Sequence, residues 1–217
     1  DGTGVVVLRS NGPCGGSCNP ACDGVILPGA TIKMNEYVTT HTYPGPGNYI
    51  VCFNELNRNA GINNIPNSVN QTFSLESFLV IPTFGSGKNN SCVFANLPLA
   101  YGCLNNSCFT YNPLATDIDG DSLSYEVIIC LNSGSSLPLA GVNGTFSINP
   151  ISGLLTWCNP QYNGDYNVII KITEWRKDDA GSPYIVGYVN RDTQFNISNC
   201  TGIKEEKSQH KHTAQST

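Results

Sequence analysis

The chain has 217 residues and a net charge of −5, and only 12% of its residues are charged, against roughly 25% in an average soluble domain. Forty per cent hydrophobic content suffices for real cores and excludes wholesale disorder, while the absence of any basic stripe removes the electrostatic footprint of a nucleic-acid binder. No apolar run approaches the ~20 residues that cross a bilayer, so no transmembrane segment is expected.

In chain order, alternating or β-rich runs occur at Val5–Leu8, Thr31–Met34, Tyr37–Tyr43, Tyr49–Leu56 and Thr72–Ile81. They continue at Phe109–Tyr111, Leu123–Cys130, Thr145–Ile148, Leu154–Trp157, Tyr166–Trp175, Tyr184–Asn190 and Gln194–Ile197. Turn clusters such as Pro44–Asn48 and Asp178–Ser182 separate them. No stretch keeps a helical period with a cap at its start. The pattern predicts an all-β chain of two tandem antiparallel sandwiches, Ig-like or cadherin-like, stabilised by disulfides. Their expected extents are residues 1–86 and 87–202, joined near Phe84–Lys88, with a polar C-terminal tail over residues 203–217.

The cysteines number ten: Cys14, Cys18, Cys22 and Cys52 before that boundary, and Cys92, Cys103, Cys108, Cys130, Cys158 and Cys200 after it. Both counts are even, so each half can close its own bridges, with 3 possible pairings in the first and 15 in the second. A chain that opens at Asp1 with no Met and no signal peptide is expected to be a processed, exported product whose disulfides form outside the reducing cytosol. Cys14, Cys18 and Cys22 also have a spacing that suits a metal knuckle. No fourth ligand lies nearby, because His41 is distant and the other histidines are in the tail.

The sharpest local motif is Asp117-Ile118-Asp119-Gly120-Asp121. Alternate carboxylates around a glycine concentrate oxygen ligands on a sharp turn, which suits a hard cation such as Ca2+. An EF-hand is excluded, since its closing bidentate Glu would fall on Ile128. Asp165, Asp178, Asp179 and Asp192 are candidates to complete the ligand set; the competing reading is an acidic turn held by Asx hydrogen bonds that binds nothing. Arg58 and Arg176 are expected in structural ion pairs across the fold. Tyr162, Tyr166 and Tyr184, if exposed, could stack on a glycan. Sequons at Asn70, Asn89, Asn105, Asn143, Asn196 and Asn199 reflect an Asn-rich composition, and Asp121-Ser122-Leu123 formally fits O-glycosylation.

Around the acidic loop, Tyr111–Thr116, Ser122–Val127, Phe146–Trp157 and Gly164–Val168 together resemble the cadherin-like, dystroglycan-type sandwich repeats of bacterial surface proteins. Thr40-His41-Thr42-Tyr43-Pro44-Gly45-Pro46-Gly47-Asn48-Tyr49-Ile50-Val51 resembles the paired-strand signature of PKD-like domains, with Cys14, Cys18 and Cys22 where that family has an acidic Trp-containing turn. With Asn57–Ile62, Pro66–Gln71, Glu174–Arg176 and Gly187–Asp192, the likeness over residues 25 to 200 is to a module of gliding-motility-associated and adhesin-like secreted proteins of Bacteroidota. The resemblance implies an extracellular or cell-surface location and a structural or adhesive role. It also singles out Cys103 with Cys130 as the first disulfide pairing, with Cys200 as rival partner for Cys103.

Three functional classes are weighed against these residues. Catalysis is not expected: His41 is the one histidine within the predicted domains, and nothing places two acids across a cleft. A carbohydrate- or receptor-binding sandwich is the alternative reading. The favoured one is a calcium-stiffened, disulfide-cross-linked subunit of a surface fibre or adhesin, with copies of itself or adjacent repeats as partners. In that reading the apolar run Val5, Val6, Val7 and Leu8 either completes its own sheet or adds to an exposed edge of the next subunit.

Overall fold

The computed structural model describes residues 4–13, 23–27, 32–83, 88–104, 108–130 and 145–200. Cys14, Cys18, Cys22 and the expected tail over 203–217 lie outside them. Every extended element among the described residues is a β-strand and the sole helical piece is one 3-10 turn at Ser68–Asn70, so the chain is all-β as expected. Contacts divide it into two units, Asp1–Gly45 and Pro46–Thr217.

In the first unit β1 (Val25–Ile26) and β2 (Lys33–Met34) form a short antiparallel pair, Val25 opposite Met34. A single bridge joins Arg9 to Tyr37. Asn11 ties the two together: its side chain donates to Met34 O at 3.1 Å and accepts from Glu36 N at 2.8 Å. The predicted strand Val5–Leu8 does not form. Its β-branched residues favour an extended backbone, but a strand needs a partner for its N–H and C=O groups, and none pairs with it among the described residues. Val5 is 73% and Val6 91% exposed.

The second unit holds β3 (Gly47–Glu55), β4 (Phe73–Ile81), β5 (Val93–Phe94), β6 (Leu99–Cys103), β7 (Cys108–Tyr111), β8 (Ala115–Thr116), β9 (Ser122–Ile128), β10 (Thr145–Ile148), β11 (Leu155–Cys158), β12 (Gly164–Lys177) and β13 (Pro183–Ser198). The main sheet runs β3-β4-β13-β12-β9, with β6 also joined to β13 in parallel. A three-stranded sheet β10-β11-β7 lies over part of it, and β5 pairs with β8. The boundary expected near residue 86 is corrected by this pairing: β4 bonds to β13 with Phe78 opposite Tyr188, so β3 and β4 share a sheet with the C-terminal strands. The division falls instead between Gly45 and Pro46.

The core sits between the β10-β11-β7 sheet and the main sheet. Trp157, 1% exposed, is ringed by Phe109, Phe146, Tyr166 and Phe195 with centroids 5.0–6.1 Å away, in the tilted and edge-on geometries that aromatic quadrupoles favour. Leu155, Ile170, Ile172 and Ile197 close around it. A smaller cluster on Ile169 takes in Ile62, Ile65 and Cys130. Both faces of β12 are therefore covered, which explains its unbroken apolar run from Val168 to Ile170.

The two runs predicted at Tyr184–Asn190 and Gln194–Ile197 are one strand. Arg191 and Asp192 between them stay in the ladder because their side chains are paired, while the buried Thr193 Oγ1 has no partner among the described residues. Asp192 meets Arg58 at 2.6 Å, both side chains essentially buried, and Arg191 stacks on Phe94 and donates to Tyr111 Oη and Asn96 O.

Candidate metal centre

The acidic loop connects β8 to β9. Gly120 turns it with φ of 83°, a left-handed conformation that costs glycine little. Asp117 Oδ1 accepts from Asp121 N at 3.0 Å, the Asx bond of a tight acidic turn. One oxygen from each of Asp117, Asp119 and Asp121 lies within 4.8 Å of the others.

Strand pairing carries β12 to this loop, because Ser122 stands opposite Trp175. Arg176 then grips Asp121 with both arms, Nε to Oδ1 and Nη2 to Oδ2, each at 2.7 Å. Its Nη2 also donates to Asn89 Oδ1 at 2.9 Å and reaches Asp119 Oδ2 at 3.4 Å. The bidentate carboxylate contact raises the guanidinium above its usual range. Asp121 is thus neutralised within the protein, and the expected ion pair of Arg176 is present, as is that of Arg58.

On the other side of the loop is Glu174, a wholly buried carboxylate. Its Oε1 accepts from Cys92 N at 2.6 Å. Burial, opposed by that hydrogen bond and reinforced by Asp117 and Asp121, pushes its carboxyl above the ordinary range. The space exists because residue 187 is glycine: a Cβ there would overlap Glu174 Oε2 and stand 3.0 Å from Phe78 O. Next to it the Cys92 thiol is pushed up to about 12, first by burial and then by Glu174. It stays protonated at neutral pH and is no nucleophile.

Three buried oxygens here have no hydrogen-bond partner among the described residues: Asp117 Oδ2, Glu174 Oε2 and Asn90 Oδ1. Asn90 is fixed to the loop by its own N–H, which donates to Asp119 Oδ2 at 2.9 Å. Buried acceptors left bare are rare, and an all-oxygen set with surplus negative charge fits a hard divalent cation. The residues therefore suit the ion expected, but not with the expected helpers. Asp192 is committed to Arg58, Asp165 accepts from Asn196, and Asp178 caps its own turn through Ala180 N and Ser182 N. The three aspartates alone are gathered within 4.8 Å, and the bare Glu174 Oε2 lies against Gly187.

At the far end of the β12–β13 hairpin, two disulfides form among the described residues. Cys108 and Cys158 are direct cross-strand partners and are bridged. Cys103 pairs with Cys200, not with Cys130. Parallel pairing of β6 with β13 sets Ser198 opposite Cys103 and delivers Cys200 there, while Cys130 is buried in the Ile169 cluster. Cys52 and Cys92 form no disulfide, so even cysteine counts do not mean complete bridging. Of the three tyrosines considered for glycan stacking, Tyr162 is exposed and Tyr166 is core.

The disulfides are compatible with an extracellular protein, and among the described residues no helix is long and apolar enough to cross a membrane. No family model and no curated protein matches the chain. Among solved structures, it is similar to a nucleoside hydrolase-related hypothetical protein from Saccharophagus degradans that is associated with carbohydrate metabolism, at 20% identity and a TM-score of 0.34 over 54% of this chain. The chain spans 28% of that structure's length. At such a TM-score the likeness assigns no activity to this chain.

Proposed function

We propose that the chain is a building block of an extracellular bacterial surface fibre or adhesin, made rigid by Ca2+ at one end and by disulfides at the other. The observation that carries this reading is the long β12–β13 hairpin with a clamp at each end. Cys103–Cys200 and Cys108–Cys158 fasten the end near Ser198. The acidic loop, Glu174 and Arg176 gather the other end. Asp117, Asp119, Glu174 and Asn90 would hold the ion, and Arg176 would keep Asp121 in place beside it. A bound cation there cross-links the β8–β9 loop, the segment before β5 and β12 without any chemical step, which is a mechanical role.

The resemblance to cadherin-like repeats is part of the same proposal for residues 88–200, supported by the Trp157 core and by the tight turn at Asn149, whose side chain accepts from Ile151 N and Ser152 N at 2.9 Å. Electron microscopy of the concentrated protein in Ca2+ is the test. Regular assemblies that lose their order in chelator are expected; a chain that stays dispersed under both conditions would remove the building-block reading.

A further inference from the structure

Along one edge, β13 changes partner. β4 leaves it at Val189, opposite Ser77, and β6 joins it at Gln194, opposite Leu99. Residues 190–192 between them line an open groove of about 410 Å³. Val51 and Phe53 of β3, Phe73 and Leu75 of β4, and Phe94 of β5 form its walls.

The walls are apolar and the floor is not. Asn190 is 6% exposed, and its Oδ1 has no partner among the described residues. Arg58, 5% exposed, lies 4.9 Å over the Phe73 ring and pairs with Asp192 of the floor, leaving its Nη2 without a partner among the described residues. The groove thus offers the Asn190 acceptor between apolar surfaces, beside a stretch of β13 that neither β4 nor β6 pairs. A peptide strand flanked by apolar side chains suits it, with an N–H for Asn190. A sugar would bring more hydroxyls than that one atom can satisfy.

The chain carries a matching segment. Val5, Val6 and Leu8 are 73%, 91% and 46% exposed, and no strand among the described residues pairs with them. We infer that Val5–Leu8 of a second copy lies in this groove as an added strand along the open stretch of β13. The inference rests on the building-block reading and names the acceptor surface that reading lacks.

Two folded variants test it, each checked by circular dichroism. Val5→Asp with Val6→Asp removes the donor; Val51→Arg, at a half-exposed wall position, blocks the acceptor. Light scattering is expected to show association of the wild type, monomers for each variant alone, and one-to-one heterodimers when the variants are mixed. A labelled peptide of residues 4–10 should bind the donor variant at least tenfold more tightly than the Val51→Arg chain. Wild-type-like association of the donor variant would overturn the inference while leaving the building-block reading intact. A wild type that is monomeric, refuses the peptide and yields a peptide-binding donor variant would also overturn it, because the segment would then fill its own groove. Equal peptide binding by both variants would exclude the groove as acceptor. Absence of any assembly by wild type in light scattering and electron microscopy would instead strike at the building-block reading itself.

Discussion

Replacing Glu174 with Gln separates a cation ligand from an ordinary buried acid. The carboxylate is wholly buried, has one hydrogen bond from Cys92 N, and keeps Oε2 bare. Its pKa in the fold stands above its ordinary 4.5, chiefly through burial, so the folded state binds the proton more tightly than the unfolded chain. Stability without metal is therefore lost as pH rises from about 4.5 through the folded pKa, at a slope of up to about 1.4 kcal/mol per pH unit. Gln keeps the shape and the acceptor for Cys92 N while abolishing that slope. In chelator at neutral pH the variant should melt at or above the wild-type temperature. Calcium reverses the order. At a hundredfold excess over Kd, a site confined to the folded state adds about 2.7 kcal/mol, which at about 2–4 °C per kcal/mol raises the wild-type Tm by roughly 5–11 °C. The variant should gain little, because a divalent cation loses one of its charged ligands. Differential scanning calorimetry with Ca2+ and with chelator measures both effects. A variant that melts well below wild type in chelator yet shows the full calcium shift would refute the assignment, since Glu174 would then be a structural acceptor and nothing more.

Other substitutions probe the surrounding arrangement. Arg176→Gln should lower stability without metal by about 1.5–3 kcal/mol, the scale of hydrogen bonds to charged groups, and tighten Ca2+ binding in isothermal titration because a competing cation leaves Asp119 and Asp121. Arg58→Met should cost about 3–5 kcal/mol by stranding Asp192 in the interior, whereas Arg58→Met with Asp192→Asn should recover most of that loss in urea denaturation. Cleaving the Cys108–Cys158 bridge by a Cys→Ser pair should cost up to about 4 kcal/mol in the chain-entropy picture for a loop spanning 50 residues, read as a lower urea midpoint with a steeper slope because the unfolded chain expands.

What the sequence makes legible follows physical rules that act locally. β12 is visible because both of its faces are buried, so Val168, Ile169 and Ile170 read as a continuous apolar run. The Pro150–Gly153 turn is visible because Gly153 needs a φ of 70°. By contrast, β5, β6 and β8 span only two to five residues and are too short to show a period. Arg191-Asp192-Thr193 looks like a break in β13, since the charges of Asp192 and Arg191 are met by Arg58 and Tyr111, partners that adjacency in sequence does not reveal. Val5–Leu8 shows the opposite failure, with strong strand propensity and no strand paired with it among the described residues.

The same distinction governs the metal centre. Asp117, Asp119 and Asp121 are written together in the chain, and the turn that gathers them is local. Glu174 and Asn90 reach the loop only through strand register, with Ser122 opposite Trp175 and Asn90 bonded to Asp119. Proximity by composition pointed instead to Asp165, Asp178, Asp179 and Asp192, of which Asp165, Asp178 and Asp192 each bond to a partner of their own. A signal for Glu174 does exist in the sequence: it is the single carboxylate in the apolar Val168–Trp175 stretch of β12, between Thr173 and Trp175. A charge in such a place is costly to bury, and the fold retains it opposite Gly187, where any side chain would displace it. The fold thus keeps this carboxylate by leaving room for it at Gly187 and by the hydrogen bond that Cys92 N donates to its other oxygen.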